Sequence, residues 1–277
     1  MTSDIPWTRI FPDIDHRWIM GLRQGNLAGF FAAQDPTGTI RTERKRWFSE
    51  EPEKYVALLP DAEAAMLETC ELARTLGNPV PTVDTSPLEQ LLALGPAWEP
   101  DLVWMHPGAD GVHRLAGGAV CFPSSWSMPE MLGRPMNQVH QLVPGLNDLL
   151  ARQIDTFLSK LSPGVSWQRE NWGVSRDGEL NHHPSRPRAA LDSTVTLEEV
   201  WIRLEHQLLL KLPRSGSVLF GIRLELVPLA DMLADQTAAQ RFSRLISTMQ
   251  PTAARYKGVE SARPALLAII EAALANL

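Results

Sequence analysis

The segment from Ser217 to Val227, SVLFGIRLELV, alternates strictly between apolar and other residues. Val218, Phe220, Ile222, Leu224 and Leu226 share one side, and Gly221, Arg223 and Glu225 share the other. A two-residue period of this length commits the chain to a β-sheet, because a helix would scatter those side chains around its whole circumference. Two further β signals precede it. DLVWMH (101–106) and VHRLAGGAVCF (112–122) flank the turn residues Pro107-Gly108 and Asp110-Gly111, which predicts a hairpin. VSWQRENWGV (165–174) alternates well enough to be another strand.

Helical signals bracket this region. They cover residues 42–59, and then 61–76, where Asp61 is the candidate N-cap and Gly77-Asn78-Pro79 the stop. Ser86, Pro87 and Glu89 predict a capped helix start, and Ser127 with Glu130 a second capping box. Leu146, Leu149, Leu150, Ile154, Phe157, Leu158 and Leu161 keep a helical spacing. Thr196 and Glu199 form a further capping box, which predicts a helix running to Pro213 with the stripe Leu197, Val200, Trp201, Leu204, Leu208 and Leu212. Two more helices are expected near 230–249 and 263–276. Strands clustered between 101 and 227, with helices before and after, predict an α+β domain around a mostly antiparallel sheet. Alternating βαβ units are absent, which disfavours a doubly wound nucleotide fold. Residues 1–40, rich in Gly, Pro and Asp without a sustained period, read as an arm laid over a single domain of residues 41–277.

The 277 residues carry 26 basic and 32 acidic side chains, a net charge of −6. A nucleic-acid binder needs a concentrated basic surface, so this balance speaks against one. Neither a signal peptide nor an apolar run of about 18 residues is visible, and the chain reads as soluble and cytoplasmic. The two cysteines, Cys70 and Cys121, are too few for a disulfide framework or a Cys₄ metal site and stand in apolar contexts, as buried structural thiols do. Dinucleotide, P-loop, zinc-protease and nucleophile-elbow motifs are all missing.

Seven histidines remain. Adjacent His182 and His183 predict an exposed loop pair. His106 and His113 flank the hairpin turn without an evident third metal ligand, and His206 falls on the polar flank of the expected 196–212 helix. His140 stands apart, in the apolar segment PMNQVHQLVPGL between Pro135 and Pro144. A neutral imidazole held there is either a core histidine or an axial ligand to haem. Arg203 and Gln207 would lie on one flank of that same helix with Glu205 on the other, and Arg223 shares a strand face with Glu225. Both arginines could form ion pairs, or could hold carboxylates bidentately.

CFPSSWSMPEMLGRPMNQVHQLVPGL (121–146), RENWGV (169–174), RLEHQLLLKLPRSGSVLFGIRLELVPL (203–229) and RYKG (255–258) together resemble the successive signature blocks of the haem-dependent oxidative N-demethylase alpha-subunit family. MGLR (20–23) and RWFSEEPEKYVALLP (46–60) resemble its N-terminal portion. The resemblance implies a PAS-like domain that binds haem b and oxidatively removes a methyl group from a small secondary amine of the dimethylamine kind, releasing formaldehyde. Electrons would come from a separate reductase subunit that carries NADPH-fed flavin and an iron–sulfur centre. Carried over block by block, it implies His140 as the iron ligand and places the Arg and Glu of its blocks at Arg203, Arg223 and Glu205; from their chemistry we expect the two arginines as propionate partners and Glu205 as a contact to the ammonium of the substrate. The chain departs from the family pattern at His206, at Asn181-His182-His183 and at Leu224-Glu225. Those departures leave open a non-catalytic alternative, a ligand or haem sensor or a haem-free interaction subunit.

Overall fold

In chain order the strands are β1 (Arg23–Gln24), β2 (Val56–Leu58), β3 (Asp101–Pro107), β4 (His113–Ala119), β5 (Ser166–Ser175), β6 (Trp201–Lys211) and β7 (Val218–Pro228). They form one antiparallel sheet in the order β1-β5-β6-β7-β3-β4-β2. This computed structural model describes residues 5–81 and 86–276. Among them no helix is long and apolar enough to cross a membrane. The α+β architecture agrees with the sequence reading, and so do the β3–β4 hairpin and the strand assignments of β5 and β7. The helix Leu146–Lys160 and the capping box of Ser86 with Glu89 are present as well.

Two expected helices differ in kind. The signal over 42–59 resolves into the helices Thr39–Glu50 and Pro52–Tyr55 followed by strand β2, and the helix expected after Thr196 is absent. The capping box of Thr196 with Glu199 forms, but it caps only the single 3₁₀ turn Leu197–Glu199, and the expected helix is instead strand β6. Residues four apart share a face in a helix and in a strand alike, so Val200, Leu204, Leu208 and Leu212 satisfy both periods. Ile202 and Leu210, buried on that same side, complete the two-residue period. What decides the matter is pairing: β6 lies between β5 and β7 in continuous register from Trp201↔Pro228 to Lys211↔Val218, and β7 cannot curl. Smaller differences occur at helix starts. Asp61 lies in a 3₁₀ turn (Pro60–Ala62) rather than capping the helix Glu63–Thr75, and Ser127 makes no cap hydrogen bond to the short helix Met128–Met131.

Both sheet faces are covered at their ends. On the back face, Ile202, Leu204 and Val227 pack against Phe242, Ile246 and Leu266 of the C-terminal helices and against Trp7 and Phe11 of the arm. Farther along that face, Leu208, Leu210, Leu219, Leu102 and Trp104 meet the helices between residues 39 and 97. On the front face, Leu209, Met105 and Val218 pack with Leu158 and Leu161, and Trp167 packs with Phe157. The arm belongs to this packing: Phe30 lies so close over Gly221 that a Cβ there would come within 2.6 Å of its ring.

At the start of β3, the Asp101 carboxylate accepts from Cys121 N (2.7 Å) and Phe122 N (3.0 Å) and pairs with Arg44, whose Nε donates to Gly95 O at 2.6 Å. Both charged residues are buried. Asp101→Ala removes the counter-charge and two amide acceptors together, and is expected to destabilise the fold by about 3–5 kcal/mol. Urea denaturation would reveal it, and a loss below about 1 kcal/mol would show that Arg44 finds another partner.

Candidate functional site

Between its apolar ends the sheet is polar on both sides. Odd-numbered residues of β5 and β6 point to the front, which places Arg169, Asn171, Glu205 and Gln207 on one face. Even-numbered neighbours point back, which gives Glu170 and His206 together with Arg223 and Glu225 of β7. The back cluster is internally paired. Arg23 forks onto Glu170, Arg223 pairs with Glu99 and donates to Phe30 O (2.7 Å) and Ala32 O (2.8 Å), and His206 Nε2 lies 3.0 Å from Glu225. His206 is thus half-buried on a strand rather than solvated on a helix. The concavity around this cluster, about 350 Å³, is lined by these paired groups and also by Arg169 and Gln207, and a groove of about 560 Å³ beside Phe157 and Trp167 is an open surface feature.

The front face is different. Glu205 accepts from Asn171 Nδ2 (3.1 Å) and Gln207 Nε2 (2.8 Å). The Arg169 guanidinium donates no hydrogen bond to any described residue, and its Nε is buried without an acceptor. Burial, the largest influence on Arg169, lowers its pKa, while Glu205 and Glu170 oppose that. His140 sits at the start of the 3₁₀ turn His140–Leu142, behind the short helix Met136–Val139, whose Met136 and Val139 pack toward Phe220 of the front face. No described residue hydrogen-bonds its imidazole. Burial lowers the His140 pKa, the Arg169 charge lowers it further, and Asp155 acts the other way, so the ring is neutral at pH 7.

Tyr256 and Lys257, at the end of the helix Pro251–Tyr256, complete the surroundings of Glu205. Lys257 Nζ donates to Trp172 O at 2.5 Å and stands 4.2 Å from the Trp172 ring centre and 5.5 Å from that of Trp18. Burial pulls its pKa down to about 8 against the pull of Glu205. The Tyr256 hydroxyl is pushed up to about 12, first by burial and then by Glu205, although 46% of the residue remains exposed. Arg169, His140 and Lys257 likewise keep some open surface while feeling strong desolvation. Each of these side chains is thus crowded by protein yet partly open. Trp18 packs beside them: its Nε1 donates to Pro144 O (2.8 Å), four residues beyond His140, and its ring meets Tyr256 edge-on at 6.1 Å.

A family model for the haem-dependent oxidative N-demethylase, alpha subunit-like, matches residues 73–267. The chain belongs to that family. Within the family's matched span lie His140, Arg169, Glu205, Tyr256 and Lys257, whereas Trp18 lies before it. An alpha-subunit-like chain implies a multi-subunit complex, and the family name carries haem dependence.

The structure brings His140 and Glu205 to the same side of the sheet, with Arg169 acting electrostatically on both. Arg203 shares that side, but its guanidinium donates to Glu179 O (2.6 Å) and Leu180 O (2.9 Å), pinning the loop before β6. Arg223 lies on the back face. Sequence reasoning passed over Arg169, Tyr256 and Lys257, although the blocks RENWGV and RYKG contain them and the alternation of 165–174 already sets Arg169 opposite Trp172.

His182 and His183 are buried, at 4% and 5% exposure, and not an exposed pair. His182 Nε2 lies 2.8 Å from Asp177, His183 Nδ1 lies 2.9 Å from Ser185, and the His183 ring packs edge-on to Tyr55. They face different partners, and no three His, Cys, Asp or Glu side chains converge as a metal set among the described residues. Cys70 and Cys121 are buried free thiols whose pKa values burial raises, to about 11 for Cys70.

Burial and the Arg203 charge lower the His182 pKa to about 4, from 6.5. The unfolded chain therefore binds the proton more readily, and this contribution to stability is complete above pH 6.5 and lost as pH falls toward 4. The full difference is about 3 kcal/mol. Denaturation midpoints recorded from pH 7 to pH 4 should fall less steeply for His182→Asn than for the wild type. Parallel slopes would assign the acid sensitivity to other groups.

Proposed function

We propose that this chain is a haem-bearing oxidative N-demethylase subunit in which His140 ligates the iron. The reading is carried by one observation: a neutral, half-buried imidazole without a hydrogen-bond partner, set against a desolvated sheet face whose guanidinium also lacks one. A haem ligand needs such an imidazole, and both cysteines are buried as thiols, so neither offers a competing thiolate.

Bound haem would supply oxygen activation, by which an N–CH₃ group, O₂, two electrons and two protons give N–H, formaldehyde and water. In that scheme one oxygen enters a methyl C–H bond and the other leaves as water. The C–N bond then breaks, its electron pair and the hydroxyl proton going to nitrogen. The protein's own groups position the amine. Glu205, oriented by Asn171 and Gln207, accepts an N–H of the ammonium, and Tyr256, protonated at all working pH values, offers a neutral hydroxyl beside that carboxylate. Lys257 is held by the Trp172 carbonyl and feels the charge of Glu205. Trp18 keeps bulk water from this side of the cavity. The propionate role expected of Arg203 and Arg223 has less support, since both guanidinium groups already meet protein acceptors. Electrons would arrive from a reductase subunit with flavin and an iron–sulfur centre in the same PAS-like, cytoplasmic assembly.

Haemin titration tests the ligand. The wild type should develop a sharp Soret band at one equivalent, His140→Ala should lose it with unchanged far-UV circular dichroism, and added imidazole should restore it. Identical titrations of the two proteins would return His140 to a packing role.

A further inference from the structure

Arg169 and Glu205 occupy adjacent strands of the same face one step out of register, Arg169 opposite Gln207 and Glu205 opposite Asn171. Diagonal neighbours of this kind are within reach of long side chains, yet no ion pair joins them. The carboxylate is drawn away by the two side-chain amides, and the guanidinium is left with a buried Nε and no acceptor. A desolvated guanidinium without an anion is costly unless a ligand supplies one. Its planar fork selects a carboxylate.

The charge balance of the cavity agrees. Arg169 and Lys257 are cationic and Glu205 is the carboxylate between them. Adding a plain alkylammonium would set three cations against one carboxylate. A substrate that brings its own carboxylate leaves the balance as it stands.

Resting on the reading of this cavity as the amine site, we propose that the substrate is an N-methylated amino acid, with its ammonium on Glu205 and its carboxylate forked by Arg169. The substrate carboxylate takes no part in the oxidation and serves as the handle that aims the methyl group. The same chemistry could come from a haem propionate, and the experiment separates the two sources.

Calorimetric titration of the haem-loaded chain with N-methylglycine, dimethylamine and acetate, alongside haem content from absorbance, is the test. N-Methylglycine should bind at least about ten-fold more tightly than dimethylamine. Arg169→Gln should weaken N-methylglycine on the order of 100-fold while haem content holds and dimethylamine binds no more weakly than to the wild type, and Glu205→Gln should weaken both amines but not acetate. Arg169→Lys, which keeps the charge and loses the fork, should fall between and guards against a folding defect in the Gln variant. If Arg169→Gln instead loses haem while its loaded fraction still prefers N-methylglycine, the carboxylate is the propionate and the proposal is overturned. Equal affinities for the two amines in the wild type overturn it as well. Should the chain take up no haem, the same titrations on the haem-free protein still report the preference, so failure of the haem reading is distinguishable from failure of this one.

Discussion

A charge removed from water must meet an opposite charge or a set of hydrogen bonds, and the middle of this sheet places charges on both of its covered faces. Arg169-Glu170 on β5 and Glu205-His206 on β6 are consecutive pairs, so the two-residue period sends one member of each to the front and the other to the back. The back members find fixed partners, Glu170 in Arg23 and His206 in Glu225, next to Arg223, which Glu99 and the arm carbonyls hold. The front members do not close on each other. That asymmetry separates a structural polar layer from a receptive one, and it depends on β6 being a strand; as a helix, Arg203, Glu205 and Gln207 would have diverged.

Much of the framework was legible because its signals are local. The alternation of β7, the turn residues of the β3–β4 hairpin and the capping box at Ser86 each act within a few residues. The strand β6 was not, since its apolar spacing fits two periods and the arbiter, pairing with β5 and β7, lies elsewhere in the chain. His182 and His183 misled for a related reason: two adjacent polar residues in a loop look solvent-directed until Asp177, Ser185 and Tyr55 close around them.

The site was legible in its blocks but not in its assignments. His140 could be singled out by its apolar, proline-bracketed surroundings, and Glu205 by family resemblance. Arg203 and Arg223 drew notice as arginines near apolar stretches, yet each has a carbonyl-anchoring task that only three-dimensional neighbours disclose: Arg203 holds Glu179 and Leu180, and Arg223 holds Phe30 and Ala32. Arg169 is conspicuous for the opposite reason, the lack of any acceptor, which a sequence cannot display.

The arm that carries Trp18 finds its partners far along the chain. Trp18 waits for Pro144, 126 positions downstream, and the His16 amide waits for Thr248, 232 positions downstream. Contacts of such separation form after local ones, once loop closure has been offset elsewhere. The side of the front face that Trp18 covers is therefore completed late in folding, after the sheet and the C-terminal helices that its arm packs against have formed.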